Sequence, residues 1–217
     1  MRQGRTVSET VIRRLPKYYR YLKELMEQGV ERISSQELSR LTGFTASQIR
    51  QDLNNFGGFG QQGYGYNVEG LKKELATILG VETIFPTVLV GVGHLGQAIA
   101  RYEGFVHSGF DILALFDEDE AKVGTTIAGH PVHHVSSLEE FVREQHIAVG
   151  IITAPKAVAQ PIADALIRGG VTGIWNFAAT DIAAPEEVKV ESVRLNDSLL
   201  TLSYYLVQPK DEDNDFT

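Results

Sequence analysis

"VLVGVGHLGQAIARY", residues 88–102, is an apolar run that breaks into Gly91-Val92-Gly93-His94-Leu95-Gly96 and resumes in a helical pattern. The glycine spacing alone is common, and its surroundings give it meaning. An apolar strand precedes it, a helix follows, and Asp117 closes the next apolar stretch, "DILALFD", 21 residues after Gly96. That context is the dinucleotide fingerprint of a βαβ unit. Gly91 permits the tight turn, Gly93 lets the backbone approach a pyrophosphate, and Gly96 lets helix and strand pack closely. The loop through Val92, His94 and Leu95 leads to a helix N-terminus whose unpaired N–H groups favour an anion. Asp117 is expected to accept hydrogen bonds from the adenosine ribose and to repel a 2′-phosphate, so NAD(H) is expected over NADP(H).

Downstream, apolar strands alternate with amphipathic helices: "IAVGIIT", "PKAVAQPIADALIRGG", "GIWNF". This rhythm predicts an α/β fold with a parallel sheet covered on both faces, a Rossmann-like domain over residues 81–195. Ligands cross the carboxyl ends of such strands, so Thr153-Ala154-Pro155 and Asn176-Phe177-Ala178 are the expected tips at the nicotinamide end. The Asn176 amide either reaches the ring or pins its own loop. "DSLLTLSYYLV" then reads as a helix apolar on nearly all sides, over residues 196–208, with an acidic tail over 209–217.

Residues 1–80 have a different character. They hold 12 Lys+Arg against 8 Asp+Glu, whereas residues 81–217 hold 8 against 20, within a total of −8. Phosphate attraction is local, so the basic half is where nucleic acid would bind. "SSQELSRLTG" offers Ser34 and Glu37 as a capping box with Gly43 as a stop. "TASQIRQDLNNFG" offers Thr45 with Gln48 as a second capping box, and Gly57 as its stop. Two short helices around Thr42-Gly43-Phe44 have helix-turn-helix spacing. The second would present Ala46, Ser47, Gln48 and Arg50 to a major groove, while Arg13, Arg14, Lys17 and Arg20 lie on the preceding helix within phosphate reach. Pro16 marks a kink or a fresh helix start. "FGGFGQQGYGYNV", rich in glycine and aromatics, suits a small hairpin or wing containing Gly60 and Gln61.

Cysteine is absent, which removes disulfides, thiolate metal sites and thiol nucleophiles. The histidines of "HPVHH" alternate along a short strand, so no metal site is expected. No apolar run approaches the roughly 20 residues of a membrane span, and a cytoplasmic location is expected. A hydride-transferring enzyme needs a substrate site and a proton donor, usually on a further domain. The short segment after the last strand leaves no room for one, so a regulator is expected rather than an enzyme. The rivals are a small NAD-dependent oxidoreductase whose N-terminal helices only dimerise, and a DNA-binding protein whose pocket takes a coenzyme A ester.

"RLPKYYRYLKEL", the stretch from Ser34 to Val68, "GVGHLGQAIARYEGF", "IWNFA" and "VRLNDSLLTLSYYL" together resemble the Rex redox-sensing transcriptional repressors of bacteria. The resemblance implies a homodimer with N-terminal winged helices, a Rossmann domain and a C-terminal helix swapped onto the partner. It further implies operator binding when NADH is scarce and release when NADH binds. By motif position, Tyr102 and Asp197 match the pair that meets near nicotinamide, and Arg20 matches the alternative partner of that aspartate. Gln51, Gln61 and Gln62 stand where many relatives carry cations, which predicts a shallower salt dependence of DNA binding.

Overall fold

The computed structural model describes residues 7–56, 60–61, 64–102, 104–105 and 108–207. Two compact units emerge, Met1–Thr83 and Ile84–Thr217. The expected helix stop Gly57, the wing residue Gln62 and the acidic tail lie outside the described residues.

The first unit comprises α1 (Glu9–Ile12), α2 (Leu15–Glu27), β1 (Arg32–Ile33), α3 (Ser35–Thr42), α4 (Ala46–Asn54), β2 (Gly60–Gln61), β3 (Gly65–Asn67) and α5 (Val68–Leu79). Pro16 stands in the first turn of α2, where its missing N–H has no helical partner to lose, and so marks a fresh start. Ser34 and Glu37 form the reciprocal capping box, and Gly43, left-handed at φ 74°, closes α3. Thr45 accepts from the Gln48 N–H to start α4, which closes at Asn55. These local devices set the helix-turn-helix. Tyr18 and Leu22 of α2, Leu38 of α3, Ile49 and Leu53 of α4, and Leu71 and Leu75 of α5 meet in one buried core.

The wing has a third strand that the sequence reading lacked. β1 pairs with β3 through Arg32↔Asn67 and Ile33↔Tyr66, giving the order β1-β3-β2. A two-residue strand carries no period to detect. Gly65, at φ 69°, allows the approach, since a Cβ there would lie 2.7 Å from the Ile33 carbonyl oxygen.

The second unit comprises β4 (Phe85–Val90), α6 (His94–Ala100), β5 (Phe110–Asp117), β6 (Thr126–Ile127), β7 (His130–His134), α7 (Leu138–Glu144), β8 (Val149–Ile152), α8 (Lys156–Gly169), β9 (Gly173–Asn176), β10 (Lys189–Ser192) and α9 (Leu195–Val207). The sheet runs β10-β9-β8-β4-β5-β7-β6, parallel except for β6 against β7. Side chains on β4 alternate between faces. Val88 and Val90 join the core under α7 and α8, while Leu89 joins the core under α6. The chain winds outward from β4 in both directions, so the strand order reverses there. A ligand-binding crevice belongs at such a reversal.

α9 buries none of its residues, and Leu199, Leu200, Leu202 and Leu206 are exposed.

His146 follows α7 in the left-handed region, φ 51°, and the Ile147 N–H reaches back to the Val142 carbonyl. Glycine ordinarily fills that position, because a Cβ is strained there. We expect His146→Gly to stabilise the fold by about 1 kcal/mol, read from the denaturant midpoint. A lower midpoint would mean that the imidazole makes a compensating contact.

Candidate functional site

At the carboxyl end of β4 the chain turns through Gly91, φ 101°, and its N–H donates to the Phe116 carbonyl at 2.8 Å. A Cβ on Gly91 would sit 2.7 Å from the Ala154 nitrogen, and one on Gly96 would sit 2.0 Å from the Gly91 oxygen. Both glycines are therefore demanded by close packing of the protein on itself. Gly93 is different. Its backbone is extended, at ψ −169° with negative φ, and a Cβ there would meet nothing within 4 Å. Neither the backbone nor a described neighbour requires a glycine at 93, and the space over it fits a group of the size of a pyrophosphate.

Asp117, at the end of β5, is only 9% exposed. Its Oδ2 accepts from the Val92 N–H at 2.6 Å and lies 3.2 Å from the Lys122 ammonium, while Oδ1 accepts from the Asp119 N–H at 3.0 Å. Burial alone would raise its pKa. The Asp119 and Val92 N–H groups and Lys122 outweigh that and hold it below the ordinary carboxylate value. The expected ribose acceptor is thus already engaged in anchoring the glycine loop, and Lys122, which the sequence reading missed, shares the carboxylate. On the other side the Thr153 hydroxyl donates to the Gly91 carbonyl at 2.6 Å.

These groups border a cavity of about 830 Å³, lined by Gly91, Gly93, Asp117, Lys122, Thr153 and Pro155 among others. That volume suits a cofactor-sized ligand. Of the remaining expected residues, Val92 and Gly96 are buried beneath the loop, and His94 and Leu95 stand exposed at the start of α6. Asn176 is fully buried and its amide is committed. Nδ2 donates to the Thr180 carbonyl and the Ser192 hydroxyl, and Oδ1 accepts from the Ala178 N–H. Of the two readings of this residue, its side chain follows the loop-pinning one. Phe177 packs on Trp175, which meets Phe105, which meets Tyr102, each pair edge to face. Tyr102 also lies against Gly104, and among the described residues no hydrogen bond joins it to Asp197.

In the first unit, Ser47, Arg50, Gln51 and Asn54 form the exposed row of α4, opposite buried Ile49 and Leu53. Ala46 and Gln48 are half-buried at its start, and the Arg50 guanidinium donates to the Ser35 hydroxyl at 2.8 Å. Lys17 lies over the Phe44 ring. Gly60 and Gln61 form β2. Arg20 is exposed on α2 above Tyr21.

Arg14 corrects an expectation. Rather than facing phosphate, it grips Asp52 of α4 with two hydrogen bonds, 2.6 and 2.7 Å, and the Tyr18 hydroxyl donates to the same carboxylate at 2.7 Å. Asp52 is 2% exposed. The Asp52 bond keeps Arg14 more firmly protonated than usual, while burial and then Asp52 push the Tyr18 phenol upward. The signal was present in the sequence, since an acidic residue at the buried helical spacing between Ile49 and Leu53 needs a partner.

Comparison with known proteins matches both units. A family model described as "Putative DNA-binding protein N-terminus" covers residues 6–54, and one described as "CoA binding domain" covers residues 83–180. The redox-sensing transcriptional repressor Rex of Clostridioides difficile is 50% identical over 95% of this chain and 99% of its own length. Rex of Caldicellulosiruptor bescii is 49% identical over 95% of each chain. The chain belongs to the Rex family of redox-sensing transcriptional repressors. Among solved structures, the Rex-family repressor RSP with β-NAD+ and operator DNA superposes with a TM-score of 0.89 at 51% identity, covering 94% of both chains. RSP with β-NADH gives 0.87 at 48% identity over 94% of this chain and 95% of that one. The Rex relatives are named as repressors, in agreement with a regulator rather than an enzyme.

The glycines yield contrasting expectations. Gly96→Ala should lower the thermal midpoint, because its methyl has no room. Gly93→Ala should leave that midpoint unchanged yet weaken NADH binding by roughly tenfold or more, about 1.4 kcal/mol, in a fluorescence titration. Equal NADH affinity for Gly93→Ala and the parent would dismiss the cradle.

Asp117 also sets an acid dependence. Its folded pKa lies below its unfolded value of about 3.9, so its stabilisation is present above that value and is lost as pH falls through the folded one. Urea midpoints should therefore drop more steeply below about pH 4 for the parent than for Asp117→Asn.

Proposed function

We propose that this chain is a dimeric repressor that binds double-stranded operator DNA through its first unit and releases it when NADH occupies the cavity beside Gly93. The carrying observation is that cradle, an open space over a glycine that no described residue requires, at the strand-order reversal of a chain that also bears an exposed row on α4. Residues 1–80 would serve as the winged-helix reader, 81–195 as the NAD(H) domain, and 196–208 as the helix that meets a second copy. The apolar exposure of α9 supports the last assignment, since such a surface calls for a partner. A cytoplasmic location accords with this role, and among the described residues no helix is long and apolar enough to cross a membrane.

The glycine loop and the start of α6 would hold the pyrophosphate, and Asp117 with Lys122 the adenosine end. The tips at Thr153, Pro155 and Asn176 to Ala178 would border the nicotinamide. The reduced ring is neutral and the oxidised ring positive, which supplies the charge difference that unequal binding needs. Asp197 would pair with Arg20 in the DNA-competent state and with Tyr102 in the NADH-bound state, a two-state exchange that the cofactor biases. On DNA, Ala46, Ser47, Gln48 and Arg50 would face base edges and phosphates, with Lys17, Gly60 and Gln61 on the flanking backbone. Arg14, committed to Asp52, would brace the reader from behind.

Gel-shift titration of an operator complex tests the reading. NADH should dissociate it at concentrations where NAD+ leaves it intact, and Arg50→Ala should abolish the complex while NADH affinity stays within about twofold. A complex indifferent to NADH would end the proposal, and release by an acyl coenzyme A instead would reassign the pocket.

A further inference from the structure

The turn leaving β9 is tied to the junction that launches α9. The Val193 N–H donates to the Asn176 carbonyl at 2.8 Å, and the Asn176 amide donates to the Ser192 hydroxyl at 3.2 Å. Beyond these, Arg194 reaches back with its guanidinium. Nη1 donates to the Ala178 carbonyl at 2.7 Å, and Nη2 pairs with Asp181 at 2.5 Å. The same residue's carbonyl accepts the Asp197 N–H at 3.2 Å, in the first turn of α9. One residue therefore grips the turn at the expected nicotinamide end with its side chain and the start of the Asp197-bearing helix with its main chain.

We infer that Arg194 is the positioning residue that couples occupancy of the dinucleotide cavity to the placement of Asp197 on α9. The inference rests on the switching function proposed above. Coupling between sites needs an element whose arrangement both sites bias. The bidentate reach of a planar guanidinium, to a carbonyl and a carboxylate at once, fixes direction in a way that a single hydrogen bond does not. A displacement of the turn from Asn176 to Ala178 is thereby passed to the helix start rather than absorbed in the intervening loop.

The arm can be removed without harm to the fold. The Ala178 carbonyl also accepts the Thr180 N–H at 2.8 Å, so losing the arginine orphans no buried acceptor. Asp181 is fully exposed and returns to water.

The test compares operator affinity with and without saturating NADH, and NADH affinity with and without operator, for the parent, Arg194→Ala, Arg194→Lys and Asp181→Asn. For Arg194→Ala each affinity measured alone should stay within about twofold of the parent, while the factor by which NADH weakens operator binding should fall about fivefold, roughly 1 kcal/mol. By reciprocity, the operator's effect on NADH binding must shrink by the same factor. Lysine should restore part of the coupling, and Asp181→Asn should lower it less than alanine does. An undiminished factor in both Arg194→Ala and Asp181→Asn would overturn the inference, as would a loss of NADH binding alone, which would put Arg194 in the pocket itself. A parent operator complex that ignores NADH would instead sink the switching function, and the role of Arg194 with it. If Arg194→Ala fails to fold, the Asp181→Asn coupling factor decides.

Discussion

A single buried carboxylate organises the second unit. Asp117 ends β5, yet its closest bond is to the Val92 N–H at the turn leaving β4. A charge so buried is costly unless several donors meet it, and here two backbone N–H groups and an ammonium do. The bond fixes the glycine loop before any ligand arrives, so little ordering is left to the binding event. With Thr153 holding the loop from the β8 side, the cradle over Gly93 becomes a rigid feature of the scaffold. The strand order, the glycine spacing and the open volume all converge on that point.

The first unit uses the same physics for a different end. Arg14 and Tyr18 on α2 hold Asp52 on the buried side of α4, and the opposite side of α4 displays Ser47, Arg50, Gln51 and Asn54. Breaking such a pair strands a buried charge, which typically costs about 3–5 kcal/mol. The arrangement keeps the presenting helix at a set angle to α2, the helix that also carries Lys17 and Arg20. Anything that shifts α2 must carry α4 with it.

Much of this was legible in the chain. Capping signals at Ser34 and Thr45 and the stop at Gly43 are local, so they could be read residue by residue. The glycine triplet and Asp117 gave the crevice because their separation reflects a repeating βαβ geometry. What escaped were pairings across long separations. Arg14 looked like a phosphate contact because its partner lies 38 residues away. Lys122 and Arg194 carry no periodic signature, since each acts through where its head reaches and not through a face it shares with neighbours. β1 and β6 are two residues each, too short for alternation to register.

The aromatic chain from Tyr102 through Phe105 to Trp175 and Phe177 has a practical corollary. The sequence holds one tryptophan, and the fold sets it between the tyrosine and the turn leaving β9. Its indole is only half-buried and touches rings on both sides. Excited selectively over the tyrosines, the emission of that lone indole is thus a built-in gauge of the region, readable in solution without a dye or a label.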